Sequence, residues 1–405
     1  MGLIQVGDFR IGKEERAIIN EVLDSNRLSE GRFVRQFENE WAKFVGTNYS
    51  VAFNSGSSAL IAGLTALKYT RNYKMGSKVI TSPLTYIATV NSIVHAGFEP
   101  VFVDVDRKTF GITPESIDAL PDLKHNEDYV GILPVHLMGY PCDMDGIKDI
   151  ADAHGLFVFE DSAQAHGSVY NGKRTKGKRT GSLSDLSAFS FYVAHNIQVG
   201  EMGALNTDDL EIAKMARKIK ANGRVCDCFT CNRTTLCAKI DEPYDPRFTH
   251  EVLGYNFKTT EISGALGIVQ LKQFADNKDI RQRNVKYLND HLEVFSNVLQ
   301  LPVHSEDISY LAYPIVVTDS HVSPARLRNA LEKKGIETRP LFGSIPTQQP
   351  AYRHLKSQYE GKLPNADFVG SNGFYIGCHQ YLKPKPDLDM IVDAFWKVLK
   401  DFKGV

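Results

Sequence analysis

Hydrophobic residues in the first half of the chain form short apolar runs, and amphipathic stretches with helical periodicity lie between them. Such runs predict buried strands, and the stretches between them predict helices. The predicted strands are Val51–Phe53, Lys78–Thr81, Pro100–Asp106, Tyr129–His136, Leu156–Asp161 and Leu186–Tyr192. The predicted helices are two between Ile11 and Ala42, one that follows the stretch Asn54–Leu60 and continues to about Leu67, and then Ile87–His95, Asp143–His154 and Leu210–Lys220. This alternation predicts an α/β fold with a mostly parallel sheet and helices on both of its faces.

The last third of the chain predicts a smaller α+β domain. Its expected elements are helices at Thr259–Phe274, Asp279–Leu292, Pro324–Lys334 and Met390–Phe402, with a strand at Leu311–Val317. We therefore expect a large α/β domain over residues 1–265 and a small domain over residues 266–405. The basic, glycine-rich stretch Asn171–Gly181 is predicted to be a solvent-exposed hairpin or loop rather than a phosphate site.

Composition narrows the classes of function. The chain has 405 residues, of which 47 are Lys or Arg and 48 are Asp or Glu. Because the charges nearly cancel, no strong net electrostatic field would attract nucleic acid or a membrane surface. Neither is an expected partner. No apolar run reaches the roughly 18 residues of a membrane span, and the N-terminus lacks the apolar core of a signal peptide. A cytoplasmic protein is the expectation.

Polar side chains with catalytic chemistry follow three of the predicted strands. Asn54-Ser-Gly56-Ser57 opens a helix and is either an anion site or an ordinary helix cap. Asp161 ends the Leu156 strand, and His195 follows the Leu186 strand. Open α/β sheets place their chemistry at these strand ends. An imidazole can move a proton near neutral pH, but it cannot form a stable Schiff base as a lysine can.

Four of the six cysteines lie within twelve residues, in an expected insertion over residues 224–240. They are Cys226, Cys228, Cys231 and Cys237, with the spacing C-x-C-x₂-C-x₅-C. Thiolates this close can converge on one metal centre, either an iron–sulfur cluster or a structural zinc. The isolated Cys142 and Cys378 are expected to be buried as small hydrophobic residues.

Five motifs in order resemble the DegT/DnrJ/StrS family of fold-type-I, pyridoxal-phosphate-dependent sugar aminotransferases. They are Asn54–Ser57, Glu160–Gly167, Phe189–Tyr192, Gly200–Gly203 and Gly254–Glu261. The resemblance extends from about Val6 to Leu271 and more loosely beyond. It implies the fold-type-I architecture, a pyridoxal or pyridoxamine phosphate coenzyme, a nucleotide-sugar substrate and a homodimer with shared active sites.

The resemblance also implies a role for each matching residue. Asp161 would pair with the pyridine nitrogen, Gln164 would contact the ring hydroxyl and Tyr86 would stack on the ring, although Tyr86 could instead be an aromatic packing residue. Ser57 and Ser190 would hold the phosphate together with backbone amides at Gly56. Asn256 would reach the phosphate of the neighbouring subunit.

His195 departs from the family pattern, because most members have a lysine there that carries the coenzyme. Phe-Tyr-x-Ala-His at this place resembles the sugar 3-dehydratase branch. In that branch the amine of pyridoxamine phosphate condenses with the C4 ketone of a nucleotide-linked 4-keto-6-deoxyhexose. The histidine takes a proton from the coenzyme, and the C3 hydroxyl leaves. The alternatives are a sugar aminotransferase, native or with its lysine replaced by histidine, and a non-catalytic relative held together by zinc.

The cysteine cluster resembles that of one dehydratase, CDP-4-keto-6-deoxyglucose-3-dehydrase, which carries a [2Fe–2S] cluster supplied with electrons by a reductase. Two features differ from that enzyme. This chain has Ala163 where the branch has an upstream cysteine, and the last spacing differs by one residue. Although these differences weaken the resemblance, a [2Fe–2S] cluster and an electron-donating reductase are the expectation, with zinc as the alternative.

A nucleotide-sugar diphosphate needs cations near the cleft. Arg224, Arg247 and Arg339 are the candidates, and each could equally be a surface arginine. His166 and His379 are further candidates for the neighbourhood of the substrate. No motif identifies the base or the sugar.

Overall fold

The computed structural model describes residues 3–125, 128–226, 245 and 248–403. Its strands are β1 (Tyr49–Phe53), β2 (Lys78–Thr81), β3 (Glu99–Phe102), β4 (Tyr129–Leu133), β5 (Phe157–Asp161), β6 (Val169–Tyr170), β7 (Lys178–Arg179), β8 (Leu186–Ser190), β9 (Gly203–Thr207), β10 (Leu299–Gln300), β11 (Tyr313–Val317), β12 (Arg339–Pro340) and β13 (Gly373–Ile376).

The helices are α1 (Lys13–Asp24), α2 (Arg32–Val45), α3 (Gly56–Arg71), α4 (Ile87–Ala96), α5 (Pro114–Asp118), α6 (Met144–His154), α7 (Leu210–Lys220), α8 (Glu261–Leu292), α9 (Pro324–Lys333), α10 (Lys356–Tyr359), α11 (Pro364–Asn372) and α12 (Asp389–Lys403). Among the helices in this description, none combines the length and apolar composition that a bilayer-spanning segment needs.

A seven-stranded sheet forms the centre of the fold, with the strand order β1-β9-β8-β5-β4-β2-β3. Its strands run parallel except β9, which pairs antiparallel with both β1 and β8. The α/β class and the mostly parallel sheet are therefore confirmed. The carboxyl ends of β1, β2, β5 and β8 all meet at one edge of the sheet.

A second sheet of four antiparallel strands has the order β10-β11-β13-β12. It lies in the C-terminal part of the chain, where a smaller α+β domain is predicted. The predicted loop at Asn171–Gly181 lies in the hairpin of β6 and β7.

Helix α8 is longer than predicted. The two helices expected at Thr259–Phe274 and Asp279–Leu292 are one helix of 32 residues, because the polar stretch between them contains neither proline nor glycine. Residues in its first half pack with Trp41 and Phe191, and residues in its second half pack in the main core. The predicted domain boundary at residue 265 falls inside this helix and stays a prediction.

Candidate active site

The carboxyl ends of the parallel strands open into a cavity of about 550 Å³. Residues from the small sheet and the segment before α1 close its other side, among them Val6, Arg339 and Tyr375. Seven of the residues predicted for catalysis or coenzyme binding line this cavity. They are Gly56, Ser57, Tyr86, Asp161, Gln164, Ser190 and His195.

The N-terminus of α3 forms one wall of the cavity. Ser55 caps the helix, since its hydroxyl accepts the Ser58 amide at 3.1 Å. The amides of Gly56 and Ser57 belong to the first turn and have no partner within the helix. In the described part of the chain, the hydroxyls of Ser57 and Ser190 make no hydrogen bond. These donors converge where a helix N-terminus favours a phosphate group.

Gly56 makes this arrangement possible. A Cβ at this position would lie 2.6 Å from the Cβ of Ser190, which is too close for any side chain. The helix can therefore start directly against the end of β8. The hydroxyls of Ser57 and Ser190 therefore lie on the same side of the cavity.

The neighbouring carboxylates at the end of β5 point to opposite faces of the strand, as the pleat requires. Glu160 is fully buried and accepts hydrogen bonds from the Gly181 and Leu183 amides, the Ser184 hydroxyl and Nε2 of His136. Glu160 therefore fixes the loop before β8. Asp161 is left to face the cavity.

Asp161 is buried, and its carboxylate has two hydrogen-bond donors. Oδ2 accepts the Thr89 hydroxyl at 2.7 Å, and Oδ1 accepts the Ala163 amide at 3.1 Å. Burial raises the pKa of Asp161, and these hydrogen bonds only partly oppose that shift. No ion pair within the described ranges neutralises the carboxylate. A cationic ligand group, such as a protonated pyridine nitrogen, would therefore be stabilised here.

Two further residues complete this wall. Gln164 accepts the Met138 amide through Oε1 at 3.0 Å, which leaves its NH₂ group available to donate to a ring oxygen. Tyr86 is 59% exposed at the mouth of the cavity, with its ring centroid 5.8 Å from that of Phe342. The phosphate donors, the acidic group and the amide donor together fit pyridoxal or pyridoxamine phosphate.

His195 lies in the turn after β8, where its amide donates to the Tyr192 carbonyl. Its Nδ1 is 2.6 Å from the Ser190 carbonyl oxygen, which can only accept a hydrogen bond. We therefore assign the proton to Nδ1, and Nε2 keeps its lone pair. Burial lowers the pKa of His195 to about 4, and the charge of Arg281 adds to this effect, whereas the hydrogen bond that Nδ1 donates to the Ser190 carbonyl opposes it.

Among the described residues lining the cavity, Arg339 is the one arginine, and none is a lysine. Its guanidinium pairs with Glu337 at 3.0 Å. Arg224 does not line the cavity, and Arg247 lies outside the described residues. His166 is fully buried next to His195, with ring centroids 6.0 Å apart. His379 lines a separate groove of about 870 Å³.

Asn256 does not line the cavity of its own chain. It is exposed, and its backbone bridges to Ala221. The next residue, Phe257, accepts the amide of Asn54 through its carbonyl at 2.9 Å, close to the turn that opens α3. The contact of Asn256 with the phosphate of a neighbouring subunit therefore stays a prediction.

The predicted metal site lies mostly outside the described residues. Cys226 is half-buried and free, and Cys228, Cys231 and Cys237 are not in the described ranges. Within those ranges no group of histidine, cysteine and carboxylate side chains could hold a metal. Cys142 and Cys378 are buried, as predicted.

Several cavity residues gave no signal in the sequence. Thr89 lies within α4 and holds Asp161, and Leu311, Phe342 and Tyr375 also line the cavity. Tyr192 lines it too, although the sequence marks it only as part of the Phe189–Tyr192 motif. Glu201 also lines the cavity, although the sequence marks it only as part of a glycine-rich motif. These residues come from five separate parts of the chain, so only the fold brings them together.

Comparison with known proteins gives a consistent result. The model of the DegT/DnrJ/EryC1/StrS aminotransferase family matches residues 10–395. A dTDP-4-dehydro-2,6-dideoxy-D-glucose 3-dehydratase from Saccharopolyspora spinosa is 33% identical, over 95% of this chain and 84% of the relative. A GDP-perosamine synthase from Escherichia coli O157:H7 is also 33% identical, over 90% of both chains.

A solved structure of an E. coli GDP-4-keto-6-deoxy-D-mannose-3-dehydratase with bound hydrated PLP superposes with a TM-score of 0.83. It is 25% identical and covers 97% of this chain and 100% of the other. The resemblance inferred from the five motifs is thereby confirmed over nearly the whole chain. The chain belongs to the DegT/DnrJ/EryC1/StrS aminotransferase family.

Proposed function

We propose that this protein removes the C3 hydroxyl of a nucleotide-linked 4-keto-6-deoxyhexose, with pyridoxamine phosphate as coenzyme. One observation carries the proposal. His195 presents an unprotonated Nε2 in a cavity where no described lining residue is a lysine. A base is available there, but an amine that could carry the coenzyme covalently is not. Sugar 3-dehydratases among the relatives support this assignment.

The coenzyme, when bound, supplies an amine for the sugar ketone and a ring that accepts electrons. Asp161 keeps the pyridine nitrogen protonated, Gln164 donates to the ring oxygen, and the turn at Gly56 with Ser57 and Ser190 holds the phosphate. Tyr86 covers the ring at the cavity mouth. His195 accepts a proton at Nε2 and returns it to the departing C3 hydroxyl.

Sugar transamination is the second candidate, because the family is named for it and a perosamine synthase is among the relatives. Most of this family resembles a pattern in which a lysine carries the coenzyme, and the described lining of this cavity has no lysine. The two reactions also give products of different mass. Replacement of the C3 hydroxyl by hydrogen makes the sugar about 16 Da lighter, whereas transamination makes it about 1 Da heavier.

The test is mass spectrometry of products from CDP-, GDP- and dTDP-linked 4-keto-6-deoxyhexoses. Each is incubated with protein loaded with pyridoxamine phosphate, once with glutamate and once with a chemical reductant. We expect a 3-deoxy product with one nucleotide, and none from the His195→Asn variant. The His195→Lys variant is the matched control, for which we expect the amino sugar instead. Full turnover by His195→Asn would contradict the proposal.

We further propose that the four clustered cysteines bind a [2Fe–2S] centre that a reductase supplies with electrons. The proposal is supported by the sequence spacing and by the half-buried, unpaired thiol of Cys226. Iron, zinc and acid-labile sulfide are measured on protein purified without oxygen. About two irons and two sulfides per chain support the cluster. About one zinc without sulfide would make the site a structural clasp.

We also propose a homodimer in which Asn256 reaches the phosphate of the neighbouring subunit, and in which Arg339 contacts the substrate diphosphate. The exposure of Asn256 near the turn at Asn54 supports the first part. Mixing inactive Asn256→Ala chains with inactive His195→Asn chains should restore partial activity if sites are shared. No restored activity in a mixed dimer would contradict shared sites.

A further inference from the structure

Arg281 of helix α8 is a buried cation with an unusual environment. It is 1% exposed, and it forms no ion pair with a carboxylate within the described residues. Nη1 donates to the Leu311 carbonyl at 2.8 Å, and Leu311 lines the cavity. Burial raises the pKa of the neighbouring Cys378 to about 11, so this thiol stays neutral and supplies no counter-charge. An unpaired buried charge is costly, and such groups often have a functional role.

A chain of hydrogen bonds leads from Arg281 to the turn that carries His195. Nε of Arg281 donates to Oε1 of Gln380 at 3.2 Å, and Nε2 of Gln380 donates to Oε1 of Gln198 at 3.2 Å. Nε2 of Gln198 then donates to the Val193 carbonyl at 2.6 Å. Val193 lies two residues before His195. The side chains of Arg281, Gln380 and Gln198 are all buried.

The donor and acceptor roles in this series of hydrogen bonds are fixed at both ends. A guanidinium can only donate, so the oxygen of Gln380 must face Arg281. A carbonyl can only accept, so the NH₂ group of Gln198 must face Val193. Both glutamine amides are thus oriented by their partners, and neither can flip without losing a hydrogen bond.

The turn is held on its other side as well. Asn196 donates through Nδ2 to the carbonyl and the hydroxyl of Ser309, at 3.1 and 2.6 Å. The His195 side chain has one hydrogen bond to the described residues, from Nδ1 to the Ser190 carbonyl. The position of its imidazole therefore depends on the backbone of the turn.

We propose that Arg281, Gln380 and Gln198 are positioning residues that hold the His195 turn, so that the imidazole reaches the reacting atoms from a fixed backbone. The inference rests on the proposed role of His195 as the base. None of the three residues is among those that line the cavity. They therefore act on His195 through the Val193 carbonyl. A base displaced by about 1 Å can lose about a hundredfold in rate.

The test compares Gln198→Met with Gln270→Met as a matched control. Gln270 is 2% exposed on α8 and also makes two side-chain hydrogen bonds, to Glu15 and Gln273, but it has no link to the turn. Both substitutions remove the same amide from a buried site. We expect kcat to fall about 10- to 100-fold for Gln198→Met with KM changed less than about threefold. Gln270→Met should leave kcat unchanged.

A second variant separates the two glutamines. Gln380→Glu keeps an acceptor for Arg281 but loses the donor to Gln198, and it should reproduce the loss in kcat. The double variant of Gln198 and Gln380 should lose no more than either single variant, because both interrupt one chain.

A readout without turnover uses coenzyme-free protein. Diethyl pyrocarbonate acylates unprotonated imidazoles, and mass spectrometry of the His195 peptide gives the rate. We expect at least about a threefold change in this rate for Gln198→Met and none for Gln270→Met. Unchanged reactivity together with equal kcat values for the two variants would overturn the proposal. If the wild-type protein showed no dehydration at all, the reactivity of His195 would still decide the positioning role.

Discussion

The Asp161→Asn substitution separates the charge of this side chain from its hydrogen bonds. The asparagine oxygen can accept the Ala163 amide, and its NH₂ group can donate to the Thr89 hydroxyl. Thr89 can then donate to Thr85, whose hydroxyl lies 2.7 Å away. The variant therefore keeps the hydrogen-bond geometry and loses only the negative charge.

The charge has opposite effects in the two states of the protein. In the coenzyme-free protein, burial raises the pKa of Asp161 because the buried carboxylate is penalised. That cost is present above the raised pKa and disappears as pH falls through it. The variant should therefore unfold at equal or higher urea concentration at pH 7.5, and this advantage should vanish in acid.

In the coenzyme-loaded protein the charge is stabilising. A hydrogen bond to a charged group is worth about 1.5–3 kcal/mol. This predicts a loss in pyridoxamine phosphate affinity of about 10- to 150-fold. Calorimetric titration of the coenzyme-free protein measures it, and Gln164→Ala serves as the control that removes a neutral contact, for which about a 2- to 10-fold loss is expected. Equal affinity of wild type and Asp161→Asn would refute the assigned role, as would a loss of more than about 2 kcal/mol in coenzyme-free stability.

Three further predictions follow from the site. Because the pKa of His195 is lowered to about 4, the acidic limb of kcat/KM should lie near pH 4 to 5 rather than near 6.5. His195 should also contribute a fall in unfolding free energy of about 1 kcal/mol per pH unit between pH 6.5 and 4, since only the unfolded state binds its proton there. Burial lowers the pKa of His166 and of His379 as well, so His195→Asn should remove only the His195 share of the pH-dependent loss in urea titrations. Glu160→Gln should destabilise the coenzyme-free protein by about 3–5 kcal/mol in urea unfolding, because the NH₂ group of the glutamine would face the Gly181 amide or the Leu183 amide, two donors. A Glu160→Gln variant as stable as Asp161→Asn would contradict this. The Ser57→Ala and Ser190→Ala variants should each weaken pyridoxamine phosphate binding by about tenfold and leave binding of unphosphorylated pyridoxamine unchanged in calorimetry, whereas equal losses for both ligands would argue against a phosphate site.

Strand-end residues could be predicted from the sequence because their position depends on local patterning. An apolar run followed by Asp161 or His195 places either side chain at the carboxyl edge of a parallel sheet, whatever the rest of the chain does. The antiparallel strand β9 was not predicted, because its five residues lack a distinct apolar pattern. Its pairing with both β1 and β8 depends on contacts across the sheet.

The different environments of Glu160 and Asp161 could not be predicted from the sequence and are seen only in the structure. Adjacent carboxylates in a strand point to opposite faces, but the sequence does not say which face holds the cavity. The structure shows that Glu160 meets four donors from the turn before β8 and from His136. The partners of Glu160 lie 21 to 24 residues away, and the link from Arg281 to Val193 includes steps of 99 and 182 residues. Neither leaves a local pattern in the sequence.

A histidine at position 195 depends more on the surrounding backbone than a lysine would. A lysine has a flexible four-carbon stem, and one bonded to the coenzyme is placed by the coenzyme itself. An imidazole has two side-chain torsions and no covalent partner, so its reach is set by the backbone of residue 195. A protein that uses histidine here therefore needs a rigid turn, and the buried bonds from Gln198 and Asn196 provide one. Gln198→Met should therefore impair the His195 protein far more than the His195→Lys variant, whose reactive nitrogen can adjust through its stem.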